Sequence, residues 1–433
     1  MERPQALRAD VSARMPMAGQ LPRDRHAAEG PAFWHRTRSR RLIQRIAAVS
    51  APTDQHYLFR AGDARALRGR RGHGHILSFE FGPSWPFVGR GLSPTRLPLV
   101  SGVKPPYRIV FMNYPARVSL GHYPTPIEKL ARLGAHLGGP ALYVKRDDQS
   151  GLATGGNKVR KLEFLFADAL AQKCDHVVTL GGPQSNHVRQ TAAAAARLGL
   201  RCSLVLRGNR PPQRLGNLLL DELLGAKIHW SGARTRDEVA AEVMTGLRQA
   251  GARPYLIPVG GSNGLGALGY AVAMGEAIDQ LAAQKLAIDA MVFASSSAGT
   301  QAGLVLGAAL RGFKGRVLGI SIDSTEAELK ARVTKIALDA VKLSNAGIAA
   351  SQLAVDVNAG YLGGGYSVVG DLERDAIRSV AQMEGLLLDP VYTGRAMGGL
   401  IDLIRRGAFA KTQSILFWHT GGTAALSAFA DEL

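Results

Sequence analysis

Cysteine is scarce in this chain, and long apolar runs are absent. Cys174 and Cys202 are the only cysteines among 433 residues. They are too few for a disulfide framework, which favours a reducing, cytoplasmic location. No run of about 18 apolar residues is free of charges and turn formers, which argues against a membrane-spanning helix. No HExxH and no cysteine–histidine cluster at zinc-ligand spacing occurs, so we expect no metal site.

Acidic residues are few in the N-terminal quarter. Residues 1–111 hold 18 arginines and one lysine against seven acidic residues, a net charge of +12 out of +19 for the whole chain. Proline and glycine interrupt each short apolar run, and only the region near Leu42 to Val49 could form a brief helix. We therefore expect residues 1–111 to be an irregular, disordered extension.

Three origins of the N-terminal segment compete. It is an arginine-rich targeting segment, a segment that binds polyanions through charge, or upstream reading frame with Met112 as the true first residue. The last is favoured because ordered-looking sequence follows Met112 directly. Since most of the excess charge lies in this segment, nucleic-acid binding by the rest of the chain is not expected.

From Met112 onward, strand and helix patterns alternate. The predicted strands are 141–145, 176–180, 201–206, 227–230, 254–259, 290–294, 316–322 and 414–418. The predicted helices are 127–137, one opening near residue 158, 186–198, 215–224, 235–250, 265–283, 300–311, 326–346, 372–384, 394–406 and a final C-terminal helix. Such alternation indicates an α/β fold with parallel sheets and helices on both faces, and the length suggests two sheets.

One glycine-rich turn opens directly into a helix that begins near Lys158. Its apolar residues recur at helical spacing from Leu162 onward, and Lys158 lies on that face. Such a lysine either extends to solvent or is a functional amine whose pKa is lowered by burial and by the helix N-terminus. The residues placed elsewhere on the helical wheel are Arg160, Lys161, Glu163 and Asp168.

Two further loops each end a strand and begin a helix. In the loop 181–186, Ser185 or Asn186 either caps the helix or binds a carboxylate and a ring hydroxyl. The loop 295–303 is rich in serine and glycine, and it is either a phosphate site or a tight turn. No lysine follows its glycines, so it is not a Walker loop.

The sequence GLGALG at 264–269 matches the dinucleotide-binding spacing, with Asp289 further on. It lies in the middle of the series of units, and Asp289 precedes a strand instead of ending one. NAD binding is therefore disfavoured. Three glycine-bearing loops near the C-terminus, at 361–366, 389–394 and 419–422, could be turns only. With a lysine on a buried face, they suggest a cofactor that has a phosphate, an aromatic ring and an aldehyde.

Five motifs occur in order: GLATGGNKVRKLEFL, GGPQSNHVRQTAA, SSAGTQAG, DPVYTGRAMGGL and HTGG. They resemble the aminocyclopropane-carboxylate deaminase and D-cysteine desulfhydrase family of pyridoxal phosphate enzymes with the tryptophan-synthase-β-like fold. The resemblance runs from Met112 to the C-terminus and leaves out residues 1–111. It implies a small domain at 162–258, a large cofactor-binding domain formed by 112–161 and 259–433, and a homodimer.

The resemblance also implies which residues hold pyridoxal 5'-phosphate. Lys158 would be the Schiff-base lysine, and Asn186 would bond the ring hydroxyl. The residues that would hold the phosphate are Ala298, Gly299 and Thr300.

A small amino acid is the substrate that the resemblance implies. Ser185, together with Gln184, would hold its carboxylate, and Ser185 would also relay protons. Tyr366 and Tyr392 would border the substrate.

Two positions depart from the deaminases of this family. Those enzymes have a glutamate after the tyrosine of the DPVY motif and a leucine before the glycines of the last strand; here the residues are Thr393 and Thr420. A carboxylate beside the pyridine nitrogen keeps it protonated, whereas a threonine hydroxyl can only hydrogen-bond it.

Cyclopropane opening starts without an α-hydrogen and needs a strong electron sink. Elimination from a cysteine-like substrate has an acidic α-hydrogen and a good leaving group, so a weaker sink suffices. The expected reaction is therefore conversion of D-cysteine to pyruvate, hydrogen sulfide and ammonia. The alternatives are 1-aminocyclopropane-1-carboxylate deaminase, L-cysteate sulfo-lyase and, from another class, a nucleic-acid-binding protein on an inactive scaffold.

Overall fold

The computed structural model describes residues 64–71, 74–81 and 114–433. Strands β1 (Ala64–Arg71) and β2 (Gly74–Phe81) form a two-stranded sheet within the segment where the sequence analysis expects no regular structure. The brief helix considered near Leu42 to Val49 lies outside the described residues, as does Met112.

Ten strands after residue 114 form two sheets. The larger sheet has the order β11-β10-β9-β12-β4-β3, and only β3 runs antiparallel to its neighbour. Its strands are β3 (Ile127–Lys129), β4 (Ala141–Arg146), β9 (Ala290–Ser295), β10 (Arg316–Ser321), β11 (Asp356–Asn358) and β12 (Ser414–His419).

The smaller sheet is fully parallel, with the order β7-β6-β5-β8. Its strands are β5 (His176–Gly181), β6 (Arg201–Leu206), β7 (Lys227–Trp230) and β8 (Pro254–Ile257). These strands come from within the predicted small domain, and the larger sheet takes its strands from both flanks. The domain boundaries themselves stay a prediction.

Helices connect the parallel strands. They are α1 (Ala131–Leu137), α2 (Lys158–Ala171), α3 (Asn186–Arg197), α4 (Gly216–Leu223), α5 (Arg236–Gln249), α6 (Gly264–Ala283), α7 (Gly299–Arg311), α8 (Glu326–Ser344), α9 (Asp371–Glu384) and α10 (Thr393–Arg405). None of the helices in the described part of the chain is long and apolar enough to cross a membrane.

Helices cover both faces of each sheet. Alternate residues of a strand point to opposite faces, and Val292 and Phe293 of β9 accordingly belong to separate apolar clusters. Val177 and Val178 of β5 likewise belong to two clusters on the smaller sheet. The predicted α/β architecture with two parallel sheets is confirmed.

Three local predictions differ from the structure. Residues 127–137 are not one helix: β3 pairs with β4, and α1 follows only from Ala131. The three-residue strand β11 was missed. The final segment, Thr423–Glu432, is 3-10 helix instead of α-helix. Very short strands owe their existence to pairing with distant residues, so local patterns do not reveal them.

Candidate active site

Helix α2 begins at Lys158, after a turn that only glycines can form. Gly155 and Gly156 have φ angles of 69° and 125°, and a Cβ on Gly155 would lie 2.0 Å from the backbone oxygen of Asp148. The tight turn fixes the point at which α2 begins. Lys158, the first residue of this helix, lines a cavity. Burial lowers the pKa of its amine to about 8.

Charged residues of α2 are buried as well, which the amphipathic interpretation did not predict. Lys161 has no exposed surface; its Nζ donates to the oxygen of Gly260 and to Oγ of Ser262, both at 3.1 Å. Burial, followed by the charge of Lys158, holds the pKa of Lys161 well below its usual range. Placing Lys161 off the buried face of the helix was wrong, because three residues along a helix return it to nearly the same face as Lys158.

Arg160 anchors the other side of α2 in a buried ionic network. Its guanidinium donates to both oxygens of Asp147 at 2.9 Å and forms an ion pair with Glu276 at 2.9 Å. Lys145 donates to Glu276 at 2.5 Å, and the Tyr270 hydroxyl donates to Asp147 at 2.6 Å. Burial alone would raise the pKa of Asp147, but the charges of Arg160 and Lys145 bring it to about 2. Each buried charge has a partner, so the network is satisfied.

The loop after β5 places Ser185 and Asn186 on the cavity wall. Ser185 is the N-cap of α3, and its Oγ accepts from the backbone N–H of Val188 at 3.4 Å. The Oδ1 of Asn186 accepts from Arg189 and Asn217, at 3.1 and 2.9 Å. Ser185 therefore caps α3, and both Ser185 and Asn186 still line the cavity.

Gln184 has other neighbours. Its side chain donates to the oxygen of Leu215 at 3.0 Å and accepts from the N–H of Asn217 at 2.9 Å. Gln184 is not among the residues that line the cavity. Its predicted role in binding the carboxylate stays a prediction.

The loop after β9 brings the N-terminus of α7 to the same cavity. Ala298 and Thr300 line it, and Gly299 lies between them as the first residue of the helix. A Cβ on Gly299 would lie 2.7 Å from Oγ of Ser262, which is why a glycine fits there. Ser295 also lies on this wall, and its buried hydroxyl has no hydrogen-bond partner among the described residues.

Two tyrosines also line the cavity. The hydroxyls of Tyr366 and Tyr392 lie 2.7 Å apart, and their rings meet edge to face with centroids 6.0 Å apart. Burial raises the pKa of both hydroxyls, so both stay protonated near neutral pH.

The two predicted threonines have different surroundings. Thr420 lines the cavity. Thr393 does not line it; its buried hydroxyl donates to Oδ1 of Asp389 at 2.7 Å and accepts from the N–H of Asp389 at 2.8 Å. The hydroxyl proton of Thr393 is therefore already used within its own turn.

The cavity has a volume of about 410 Å³ and a strongly basic wall. Besides Lys158, its wall contains Arg207, Arg236 and Arg332, while Asp323 is the one acidic residue from the described part of the chain. These four residues were not predicted from the sequence. Arg207 directly follows β6, and that strand-end position was a usable signal.

The GLGALG segment has a packing role. A Cβ on Gly266 would lie 2.1 Å from the oxygen of Gly261, and one on Gly269 would lie 2.2 Å from the oxygen of Arg160. Gly269 lets α6 approach α2, Gly266 fits against the turn before α6, and neither glycine lines the cavity. Among the described residues, no group of three or more histidine, cysteine, aspartate or glutamate side chains could hold a metal ion.

A family model and several known proteins match this chain over most of its length. Residues 118–421 match the family model described as "Pyridoxal-phosphate dependent enzyme". A 1-aminocyclopropane-1-carboxylate deaminase of Burkholderia vietnamiensis is 42% identical over 335 residues, covering 74% of this chain and 97% of the relative. A D-cysteine desulfhydrase of Salmonella choleraesuis is 43% identical over 325 residues, covering 72% and 96%.

A solved structure is similar too. This crystal structure of a protein described as an "ACC deaminase homologue" superposes with a TM-score of 0.68 at 36% identity. The match covers 74% of this chain and 95% of that chain.

Proposed function

The chain belongs to the pyridoxal-phosphate dependent enzyme family, and we propose that this lyase catalyses β-elimination on D-cysteine. The products would be pyruvate, hydrogen sulfide and ammonia. One observation carries the choice of substrate: where the deaminase branch has a glutamate and a leucine, this chain has Thr393, whose hydroxyl is engaged by Asp389, and Thr420 at the cavity. Neither supplies a carboxylate to a ring nitrogen.

The cavity wall fits pyridoxal phosphate. It offers the Lys158 amine, the Asn186 amide and the N-terminus of the 13-residue helix α7, and the buried hydroxyl of the lining residue Ser295 has no partner among the described residues. Helix N-termini favour phosphate because their N–H groups and dipole attract anions. When bound, this cofactor withdraws electrons from the α-carbon of an amino acid and weakens the bonds to that carbon.

The residues would share the work in the following way. Lys158 would hold the cofactor through its amine, Asn186 would donate to the ring hydroxyl, and Ser185 would bind the substrate carboxylate. The residues that would hold the phosphate are Ala298, Gly299 and Thr300. Gln184 would have to leave its present partners to help with the carboxylate.

Proton transfer would use the amine and the paired tyrosines. Once the substrate amine has displaced it from the cofactor, the free Lys158 amine, with a pKa of about 8, would take the proton that leaves the α-carbon. The Cβ–S bond then breaks, and sulfur leaves with the bonding electrons. The Tyr366–Tyr392 pair, protonated near neutral pH, would supply the proton that turns the departing sulfur into a good leaving group. Hydrolysis of the released unsaturated amine yields pyruvate and ammonia.

A second candidate, L-cysteate sulfo-lyase, is favoured by the arginines of the cavity wall. Arg332 is engaged with the oxygen of Ser296 and the hydroxyl of Ser324. The side chains of Arg207 and Arg236 make no hydrogen bond or ion pair within the described residues. Free guanidinium groups at the cavity suit a sulfonate, since arginine pairs well with oxyanions.

Steady-state kinetics on D-cysteine, L-cysteine, aminocyclopropane-carboxylate and L-cysteate tests the proposal. D-Cysteine should exceed aminocyclopropane-carboxylate at least about a hundredfold in kcat/KM, or about 2.7 kcal/mol in transition-state stabilisation. Equal turnover of these two substrates would overturn it. Faster turnover of L-cysteate, lost on Arg236→Gln and kept in Arg234→Gln as a matched exposed control, would establish the second candidate instead.

The homodimer and the cytoplasmic location remain proposals. The first rests on the family resemblance, and the second on the low cysteine content.

A further inference from the structure

Asn186 is held from behind by two buried side chains. Arg189 Nη1 donates to Oδ1 of Asn186 at 3.1 Å, and Asn217 Nδ2 donates to the same oxygen at 2.9 Å. Arg189 also donates from Nη1 to Oδ1 of Asn217 at 2.5 Å. All three side chains are at least nine-tenths buried. They form a closed triangle directly behind the cavity wall.

The direction of each bond in this triangle follows from Arg189. A guanidinium can only donate, and at neutral pH it stays charged even though burial lowers its pKa to about 10. The oxygen of the Asn217 amide must therefore face Arg189. Its nitrogen then faces the backbone oxygen of Gln184 at 2.8 Å and Oδ1 of Asn186.

The orientation of Asn186 follows in turn. Its Oδ1 receives two hydrogen bonds, while its Nδ2 makes none with any described residue. Since Asn186 lines the cavity, the free end of its amide is a donor. If the Asn186 amide were rotated, its Nδ2 would face the donors of Arg189 and Asn217, and its Oδ1 would face the cavity as an acceptor.

We propose that Arg189 and Asn217 are positioning residues that lock the Asn186 amide so that Nδ2 faces the cavity as a donor. The matching group on the bound molecule is an anionic or hydroxyl oxygen on an aromatic ring, which the cofactor of this family has. This inference rests on the role proposed for Asn186 and not on the choice of amino-acid substrate.

The rest of the surroundings supports a positioning role. Arg189 Nη2 donates to the oxygen of Gly155 at 2.8 Å, so the same guanidinium also holds the turn before Lys158. Asn217 is fixed in addition by its backbone N–H, which donates to Oε1 of Gln184 at 2.9 Å. The triangle thus joins the two loops that carry the amine and the amide.

Asn217→Asp is the decisive substitution. Its carboxylate cannot donate to Oδ1 of Asn186, and it should draw Nη1 of Arg189, which donates to both side chains, toward itself. The Asn186 amide should then rotate, donate to the new carboxylate and expose its oxygen to the cavity. The dissociation constant of pyridoxal phosphate from the apoprotein, measured by fluorescence without any substrate, should rise by about tenfold or more. The visible absorbance of the loaded protein should also change its pH dependence, because the donor to the ring oxygen is lost.

A double-mutant cycle separates positioning from a structural effect. In an Asn186→Ala background, Asn217→Asp should change the dissociation constant by less than about twofold, since no amide remains to be rotated. If the effects of the two substitutions multiply, or if folded Asn217→Asp binds the cofactor normally, the proposal is wrong.

A second variant covers the case in which Asn217→Asp does not fold. Asn217→Ala removes one of the two donors to Asn186 and should weaken cofactor binding about threefold, again only when Asn186 is present. Failure to turn over D-cysteine would reject the proposed substrate and leave these binding measurements intact.

Discussion

Replacing Thr393 by glutamate adds a carboxylate where the structure already buries one. The Thr393 hydroxyl makes two hydrogen bonds with Asp389, and the Asp389 carboxylate also accepts from the N–H groups of Val391 and Tyr392 at 3.0 and 2.9 Å. Burial raises the pKa of Asp389. Loss of two hydrogen bonds should lower the free energy of unfolding by about 2 kcal/mol.

The new carboxylate has two possible surroundings. Beside Asp389 it would share a proton, because two close carboxylates cannot both ionise. Turned to the cavity, which Thr420 lines, it would supply the acid that the deaminase branch has. Combined with Thr420→Leu, the substitution should therefore narrow the kcat/KM gap between D-cysteine and aminocyclopropane-carboxylate from about a hundredfold to about tenfold, a change of about 1.4 kcal/mol.

Kinetics with both substrates and thermal denaturation test this prediction together. Thr393→Val is the control: it removes the hydroxyl without adding charge, so it should lose similar stability and leave selectivity unchanged. The reasoning is refuted if the double variant binds cofactor and keeps the full gap. It is also refuted if the valine variant narrows the gap equally.

Three further outcomes are expected. The rate at which pyridoxal phosphate attaches to the apoprotein should fall about tenfold for each pH unit below 8, because only the neutral Lys158 amine reacts; a flat profile in stopped-flow absorbance would contradict the lowered pKa. Asp147→Asn should cost about 3–5 kcal/mol in chemical denaturation, since it takes from buried Arg160 one of its two carboxylate partners and leaves Glu276 to face both Arg160 and Lys145. The Asp147 contribution, present above pH 4, should also fade as the pH falls through about 2, and an unchanged acid midpoint in the variant would argue against it. A chain starting at Met112 should fold and bind cofactor normally; loss of either property would show that residues 1–111 complete the fold.

Alternation of strands and helices in the sequence was enough to predict two parallel sheets, because period-2 and period-3.6 patterns are local. The position of Lys158 on the apolar face of its helix could be predicted for the same reason, because helical spacing is a local pattern. The burial of Lys161 and Arg160 was not, since their partners Gly260, Asp147 and Glu276 are distant in sequence. A charged residue on a helix looks solvent-exposed until its partner is known.

The strand β3 and the hydroxyl of Thr393 illustrate the same limit. Ile127–Lys129 becomes a strand by pairing with β4, and no alternation in three residues announces it. Thr393 stands in a motif that suggested contact with the cofactor, yet the nearest acceptor for its hydroxyl is Asp389, four residues earlier. Motif spacing identifies the loop, but the hydrogen bonds within the loop decide which atoms remain available.

The most direct test of the account is to locate the lysine that holds the cofactor. Borohydride reduction of the loaded protein, followed by peptide mass spectrometry, should find one pyridoxyl group on Lys158, and Lys158→Ala should abolish it. Lys161 is the informative competitor, because it is buried three residues away with an amine whose pKa is also lowered. An adduct on Lys161, or full occupancy in Lys158→Ala, would contradict the central claim.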